Sequence, residues 1–407
     1  MLLFNSMGKQ LQQFNSREAG KVKVFTCGPS VYLRAHLGNY RTFLYEDILV
    51  RYLEYKGYEV TRAMNFTDIE DKAVEAANQA GLNVFAQTEP AKEQFLKDLQ
   101  LLKAKKPIII NASDSINEII KLIEILLAKG VAYNDKGSIF FDPLKFEQFG
   151  KLYGREKLMA RWPKKRMQYK LDTYPGMRWN LGDFILWHKA NNKNSAAAAV
   201  WDSPWGKGRP SWNVEDPAII KQALGEQVDI NCGGIDNIIR HHDYNIAIME
   251  AASGKTYANY YLHGAHLYID DKKMSKSLGN IYYPEDLVKQ GYSGEDIRYF
   301  LTAVKHYRQR LNFTKANFAE AGSNLKNFKT LIKEALSNKS NQPSGLAGKL
   351  ELAFSQNMDN DLAVAKAIKA MTLTLKQNKT IAANEEAKVI TTLNKINTVL
   401  QLDLIKN

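Results

Sequence analysis

The sequence predicts an α/β protein whose parallel sheet is interrupted by an insertion and followed by helices. Three observations predict this class. Strand-like and helical segments alternate early in the chain, short apolar runs with six prolines fill residues 130 to 225, and the pattern after about residue 318 is helical alone. The chain has 407 residues, which exceeds what one hydrophobic core usually supports, so two or three domains are expected.

The first elements form a β-α-β unit. The run "KVKVFTC" (21 to 27) is typical of a short buried strand, and "YEVTRAMNF" (58 to 66) is typical of a second one. Between them, "YRTFLYEDILVRYLEYKG" (40 to 57) has the spacing of an amphipathic helix. Because such crossovers join parallel strands with right-handed chirality, this unit predicts a parallel sheet.

The following segments are predicted as helices and loops. The run "SINE" from Ser115 predicts a capping box that opens a helix, and that helix is expected to end at Gly130. Within the insertion, "NNKNSAAAAV" (191 to 200) predicts a surface loop. Near the C-terminal end, "SNKSNQPSG" (337 to 345) predicts a loop between two helices.

Composition narrows the class of protein. Lysine and arginine outnumber the acidic residues 56 to 43, giving a net charge of +13 and a pI near 9.3. This balance favours a polyanionic partner such as a nucleic acid, although a lysine-rich proteome would also produce it. There is no apolar run of membrane-spanning length and no secretory type of N-terminus. Two cysteines, Cys27 and Cys232, cannot make a disulfide framework, so we expect a cytoplasmic protein with no membrane partner.

Two short motifs indicate phosphate binding. In "CGPSVYLRAHLGNYRT" (27 to 42), a strand ends at Cys27 and a helix begins near Gly38, so free backbone N–H groups and the positive end of the helix dipole would face an anion. In "IDDKKMSKSLGN" (269 to 280), Lys273 and Lys276 stand on a short loop that can close over phosphates. Together the two runs resemble the paired signature of class I aminoacyl-tRNA synthetases.

The order of further motifs resembles that of cysteinyl-tRNA synthetases. The resemblance covers most of residues 20 to 370 and rests on the paired signature with "NFTDIEDKAVEAAN" (65 to 78), "SPWGKGRPSW" (203 to 212), "CGGIDNIIRHHDYNIA" (232 to 247) and "IRYFLTAVKHYRQRLNF" (297 to 313). It implies a Rossmann-like, doubly wound parallel sheet. The implied domains are a catalytic domain at 1 to 120 and 226 to 262, an inserted acceptor-end domain at 121 to 225, a stem-contact region with the KMSKS loop at 263 to 318, and a helical domain at 319 to 407.

This resemblance also implies that the protein activates an amino acid, with cysteine as the leading substrate, at the expense of ATP with Mg²⁺ and transfers it to tRNA. Such phosphoryl transfer depends on alignment and charge neutralisation more than on acid–base chemistry. His36 would donate to the triphosphate, and Asn39, which stands where the family usually has a second histidine, can still donate through its amide. The other expected contacts to ATP are Lys273, Lys276, Gly28, Gly38, Gly233, Gly234 and Asp236.

In the family a zinc ion binds the substrate thiolate, and here the sequence departs from the pattern. Cys27 and His241 match two of the four ligand positions, whereas Asp216 stands at the second cysteine position and Asn245 at the glutamate position. Two anionic ligands are lost and one is restored, so we expect Cys27, Asp216 and His241 to bind zinc weakly or not at all. Without zinc, Cys27 is a small buried strand residue and Asp216 faces a polar or cationic substrate side chain. Two further residues matching the amino-acid pocket are Thr67 and Trp212.

Two basic stretches favour tRNA as the acceptor. Residues 155 to 178 and residues 301 to 340 each hold eight basic residues against two acidic ones, which suits contacts to phosphates and to an unpaired 3′ end. After "TVLQLDLIKN" we expect the small anticodon-recognition domain of bacterial members to be absent, and this resembles the cysteine ligases of mycothiol biosynthesis. Two alternatives therefore stay open: a ligase that acylates a small-molecule amine or carrier, and a non-catalytic paralogue that binds tRNA or nucleotide. We expect a monomer.

Overall fold

The computed structural model describes residues 1–157, 182–190, 199–274 and 278–405. Numbered in chain order, its strands are β1 (Leu2–Asn5), β2 (Gln10–Gln13), β3 (Lys21–Thr26), β4 (Glu59–Phe66), β5 (Ile108–Asn111), β6 (Ala132–Asp135), β7 (Ser138–Phe141), β8 (Phe184–Lys189), β9 (Gly208–Pro210), β10 (Val228–Gly234), β11 (Ala258–Gly264), β12 (Leu267–Ile269), β13 (Lys272–Lys273), β14 (Leu311–Phe313), β15 (Lys339–Ser340) and β16 (Ile381–Ala382). Its α-helices are α1 (Leu37–Tyr55), α2 (Asp71–Ala80), α3 (Val84–Leu101), α4 (Ile116–Ala128), α5 (Trp212–Leu224), α6 (Asp243–Ser253), α7 (Pro284–Lys289), α8 (Gly294–Ala303), α9 (Lys315–Ser337), α10 (Leu346–Met358), α11 (Val364–Gln377) and α12 (Glu386–Leu400).

A five-stranded parallel sheet forms the centre of the molecule, in the order β11-β10-β3-β4-β5. Of the five strands, β3 comes first in the chain and lies in the middle, and the sheet grows outward from it in both directions. This is the doubly wound arrangement, and the order of strands reverses between β3 and β10. There the backbone N–H of Cys27 donates to the Cys232 carbonyl at 3.2 Å. The predicted α/β class, the parallel sheet and the first β-α-β unit are confirmed.

Two hydrophobic cores cover the two faces of this sheet. Val24 and Phe25 are adjacent in β3 and both fully buried, yet they belong to different cores, because successive side chains of a strand point to opposite faces. One core packs α1, α3 and the C-terminal helices, and the other packs α2, α4, α5 and α6. The central strands are thus buried on both faces, as parallel sheets require.

The insertion contains a separate antiparallel sheet, in the order β6-β7-β8-β9. Its strand β8 packs on helix α6 through Phe184, whose ring stacks on that of Tyr244 at a centroid distance of 4.0 Å. The predicted boundary at residue 121 falls inside α4, and the division of the chain into domains stays a prediction. The predicted surface loop at 191 to 200 lies mostly outside the described residues.

The capping box predicted at Ser115 is wrong. The Ser115 hydroxyl makes no bond to the first turn of α4, because it donates to the Asn111 carbonyl at 3.3 Å and lies 2.9 Å from Gln222 Oε1, in α5. A tertiary contact has thus replaced the local one. The predicted end of the helix is confirmed, since Gly130 follows it with a φ of 69°.

Helices α7 to α12 follow the central sheet, and the predicted loop of residues 337 to 345 separates α9 from α10. The buried guanidinium of Arg41, in α1, joins this part of the chain to the sheet by donating to the carbonyls of Leu301, His306 and Gln309. Helix α1 and the segment before β14 are therefore held in a fixed relation. In the described part of the chain, no helix is both long and apolar enough to cross a membrane.

Candidate active site

A cleft of about 720 Å³ opens at the carboxyl ends of β3 and β10, where the strand order reverses. Open α/β sheets bind ligands at this position. Twelve of the predicted site residues line the cleft: Cys27, Gly28, His36, Gly38, Asn39, Thr67, Trp212, Asp216, Gly234, Asp236, His241 and Lys273. Gly233 and Asn245 are not among its lining residues, and Lys276 lies outside the described residues.

The first group in the cleft is the start of α1, and we call His36, Gly38 and Asn39 the helix-start site. His36 is the N-cap residue, and its Nδ1 accepts from the backbone N–H of Gly38 at 3.1 Å. Burial lowers the pKa of His36, so the imidazole is neutral at neutral pH. Because Nδ1 accepts a hydrogen bond, the proton of the neutral ring is on Nε2. His36 is therefore prepared as a donor to an anion.

Asn39 completes this cap. Its Oδ1 accepts from the backbone N–H of His36 at 2.9 Å, which forms a capping box with the His36 ring. The amide is oriented by this bond, because only its oxygen can accept, and its NH₂ group remains as a donor. The sequence analysis assigned Asn39 a donor role toward phosphate, and the structure adds a second role in starting the helix.

The loop that carries Lys273 lies against the helix-start site. A Cβ atom at Gly38 would come within 2.5 Å of Met274 Cε, so a side chain at this position would require the Met274 side chain to move. Lys273 itself is exposed at the end of β13 and lines the cleft. The two halves of the phosphate-binding signature, far apart in the chain, are thus in contact.

The second group consists of Cys27, Asp216 and His241, which we call the Cys–Asp–His cluster. His241 Nε2 lies 3.1 Å from Cys27 Sγ and 2.9 Å from Asp216 Oδ2. One ligand atom from each residue lies within 4.8 Å of the others. Burial and the nearby Asp216 carboxylate raise the pKa of the Cys27 thiol. The Trp212 ring stacks on the His241 ring at 5.0 Å and forms the apolar side of this cluster.

The donor atoms of this cluster suit zinc. A thiolate sulfur, a carboxylate oxygen and an imidazole nitrogen are the three ligand types that zinc accepts, and three protein ligands leave a position open for a substrate. His241 Nδ1 is buried and has no hydrogen-bond partner among the described residues. Metal-bound histidines usually donate this second N–H to an acceptor, so His241 is the weaker kind of ligand.

Asn245 does not take the place of the fourth ligand at the cleft surface. It is fully buried in α6, and within the described residues neither amide atom has a hydrogen-bond partner. Asn231, in β10, has the same two properties.

The sequence analysis missed Asn65, which holds the Cys–Asp–His cluster together. Its Oδ1 accepts from the backbone N–H of Gly28 at 2.7 Å, and its Nδ2 donates to Asp216 Oδ1 at 2.7 Å and to Thr67 Oγ1 at 3.3 Å. Gly28 packs so closely here that a Cβ would overlap the Asn65 carbonyl. The quoted run "NFTDIEDKAVEAAN" contains Asn65, but no local signal shows that its partners lie in two other segments.

Comparison with known proteins shows the family of the chain. Residues 13–323 match the sequence model described as the class I (C) tRNA synthetase catalytic domain. The chain is 36% identical to the cysteine–tRNA ligase of Chlamydia pneumoniae over 413 residues, covering 98% of this chain and 86% of the relative. It is 34% identical to the cysteine–tRNA ligase of Brachyspira hyodysenteriae, with the same two coverages. The chain belongs to the cysteine–tRNA ligase family.

The fold comparison leads to the same class. The structure of Mycobacterium tuberculosis methionyl-tRNA synthetase in complex with methionyl-adenylate matches with a TM-score of 0.66, covering 94% of this chain and 90% of that one. The sequences are only 15% identical, so this match shows the shared fold alone. The family resemblance drawn from the motifs is confirmed, and with it the class I synthetase fold.

Proposed function

We propose that the protein activates cysteine with ATP and transfers it to tRNA. The observation that carries this proposal is that one cleft contains both the helix-start site and the Cys–Asp–His cluster. The first offers backbone and side-chain donors to phosphate groups, and the second offers ligand atoms to a zinc ion that would bind a thiol-bearing side chain. Membership in the cysteine–tRNA ligase family supports both halves.

The proposed reaction has two steps. A carboxylate oxygen of the amino acid attacks the α-phosphorus of ATP, the bond to the bridging oxygen breaks, and pyrophosphate leaves. His36 Nε2–H and the Asn39 amide would donate to the phosphate oxygens, while Lys273 and Lys276 would neutralise the leaving group. A terminal ribose hydroxyl of tRNA then attacks the carbonyl carbon of the adenylate, and AMP leaves. Asp236, which is exposed at the cleft, would accept from the ribose of ATP.

We further propose that Cys27, Asp216 and His241 bind zinc reversibly. When bound, zinc would select a thiolate over a hydroxyl at the open ligand position. Two features support weak binding: the Cys27 thiol must lose a proton from a raised pKa, and His241 Nδ1 lacks an acceptor in the described structure. Mg²⁺ would accompany ATP as it does in other phosphoryl transfers.

Exposed lysines on helix α9 favour tRNA over a small molecule as the acceptor of the activated amino acid. Lys315, Lys326 and Lys333 are exposed, and their spacing of 11 and 7 residues places them along one face of the helix. They have no ion pair within the described residues, whereas other basic residues of the 301 to 340 stretch pair with Glu295, Asp361, Asp271 and Glu386. A row of exposed lysines along one face of a helix can contact successive phosphates of a nucleic-acid backbone. The first basic stretch, residues 155 to 178, lies almost entirely outside the described residues.

The main experiment is amino-acid-dependent pyrophosphate exchange with each natural amino acid, followed by charging of tRNA. We expect exchange with cysteine and charging of tRNA. Exchange with another amino acid would overturn the substrate, and exchange without charging would favour the small-acceptor ligase. Replacing Lys315, Lys326 and Lys333 by alanine together should weaken tRNA binding roughly 10-fold and leave pyrophosphate exchange, which needs no tRNA, unchanged. Monomeric state and cytoplasmic location stay predictions.

A further inference from the structure

We propose that Glu70 binds the α-ammonium group of the amino-acid substrate. This inference rests on the proposed function. It gives a partner to the ammonium group of the amino acid, which the proposed function leaves without one. The substrate side chain would lie at the Cys–Asp–His cluster, and the substrate carboxylate must reach the phosphates of ATP near the helix-start site.

Glu70 lies in the wall of the cleft. Glu70 follows β4 and precedes α2, and it lines the cleft together with Cys27, Thr67 and Asp216. Only 8% of the residue is exposed. The Ser30 hydroxyl lies near the carboxyl group and lowers its pKa, while Oε1 is buried and has no hydrogen-bond partner among the described residues.

A buried carboxylate in this state needs a cation. Burial raises the pKa of Glu70, and the Ser30 hydroxyl and the nearby charge of Lys72 offset this only in part. Lys72 does not form an ion pair with it in the described structure, and its ammonium instead lies 5.8 Å from the centre of the Tyr32 ring. An arriving ammonium group would supply the missing hydrogen-bond donor and the missing charge together.

The connectivity of an amino acid points to the same residue. The ammonium, carboxylate and side chain of an amino acid are all bonded to its α-carbon. The ammonium group must therefore lie between the Cys–Asp–His cluster and the phosphates of ATP. Three acidic residues line the described cleft: Glu70, Asp216 and Asp236. Asp216 is already bound by Asn65 and faces His241. Asp236 is exposed and lies beyond Gly234, so Glu70 remains.

The test compares cysteine with 3-mercaptopropionate, which is cysteine without the ammonium group. Binding of each is measured by titration calorimetry to the zinc-loaded protein and to Glu70→Gln, which keeps the volume and removes the charge. We expect Glu70→Gln to weaken cysteine binding about 10- to 30-fold, as loss of a charged hydrogen bond does, and to change 3-mercaptopropionate binding by less than about twofold. Glu75→Gln, an exposed change on the same helix, should change neither.

The outcomes separate this inference from the proposed function. If the unmodified protein binds cysteine and Glu70→Gln weakens both ligands equally, Glu70 only supports the pocket, and the inference is overturned while the proposed function stands. If the unmodified protein binds neither ligand, both proposals fail. Should Glu70→Gln fold poorly in a thermal melt, Glu70→Asp keeps the charge and is expected to preserve the preference for cysteine over 3-mercaptopropionate. Complete loss of that preference in a folded Glu70→Asp protein would also overturn the inference.

Discussion

The helix-start site and the Cys–Asp–His cluster share one cleft but are built in opposite ways. His36, Gly38 and Asn39 lie within one helical turn, and their bonds connect them to one another. The cluster instead draws Cys27, Asp216 and His241 from three distant segments, with Asn65 between them. The first is local and close to the family pattern, while the second is long-range and departs from it.

This difference follows from what each site must do. A phosphate is recognised by backbone N–H groups and a helix dipole, which any sequence provides once the helix starts at the right place. A side chain of the substrate is recognised by particular ligand atoms, so a change such as Asp216 alters chemistry without altering the fold. We therefore expect variants at the two sites to separate activation in general from activation of cysteine in particular.

The largest expected effect is that of Lys276→Ala. Losing a cation that neutralises the transition state should lower the rate of pyrophosphate exchange at least about 100-fold. ATP binding, measured by titration, should weaken only modestly, and the zinc content should not change. Lys289→Ala, which removes an exposed lysine paired with Glu285, serves as the control. Equal losses in the exchange rate and in ATP affinity would mean that this loop binds ATP but does not stabilise the transition state.

The next effect in size is that of Asp216→Ala on metal binding. Removing one of three ligands should lower zinc affinity at least about 10- to 100-fold, and cysteine-dependent exchange should fall with it. The measurement is the zinc dissociation constant of each variant, obtained by titrating the purified protein with zinc. Asp216→Cys should instead bind zinc more tightly and strengthen the preference for cysteine.

Glu215→Gln is the matched control for Asp216. Glu215 is fully buried, and burial together with the charges of Glu70, Asp68 and Asp216 raises its pKa well above the usual value. An amide of the same shape therefore replaces a carboxyl group whose neutral form is favoured. An unchanged zinc affinity in Asp216→Ala, or an equal loss of affinity in Glu215→Gln, would contradict the assignment of Asp216 as a ligand.

A smaller effect is expected for Asn65→Ala, which breaks the link between the segments of the cluster. Asp216 and the Gly28 backbone would each lose a hydrogen bond, so the KM for cysteine should rise about 10-fold. The KM for ATP should change much less, because the helix-start site does not contact Asn65. Asn231→Ala, on β10, which β3 separates from the strand of Asn65, removes a buried asparagine whose side chain has no partner in the described structure, and should leave both KM values near normal.

The helix-start site was predictable from sequence and the link to Asp216 was not. The strand, the turn and the start of the helix are indicated by local sequence patterns within residues 21 to 57. The structure has the same elements there, with α1 starting at Leu37. Asn65 and Asp216 are 151 residues apart, and no periodicity connects them. The motif resemblance identified Cys27, Asp216 and His241 as a set, but their distances required the fold.

The errors in local prediction have the same physical origin. Ser115 has the sequence of a capping box, yet its hydroxyl bonds to Asn111 and Gln222, the latter brought close only when α5 packs on the sheet. Ser115 gained a partner through tertiary packing, whereas Glu70 was left without one. The sequence around Glu70 does not show that the residue is buried with an unsatisfied oxygen, so no site role was predicted for it. Local patterns predict elements, whereas tertiary packing decides which polar groups have partners.

The smallest effect is expected at Asn39, where the donor role and the capping role can be separated. Asn39→Asp keeps an oxygen that accepts from the His36 N–H but loses the NH₂ donor and turns a negative charge toward the phosphates. The melting temperature should therefore stay close to normal, while the KM for ATP rises about threefold to 10-fold, as loss of one donor implies. In Asn39→Ala one of the two bonds of the capping box is lost, so stability should fall by about 1 kcal/mol in a denaturant titration. If Asn39→Asp binds ATP normally, Asn39 acts only as a cap, and His36 is then the sole side-chain donor of the helix-start site.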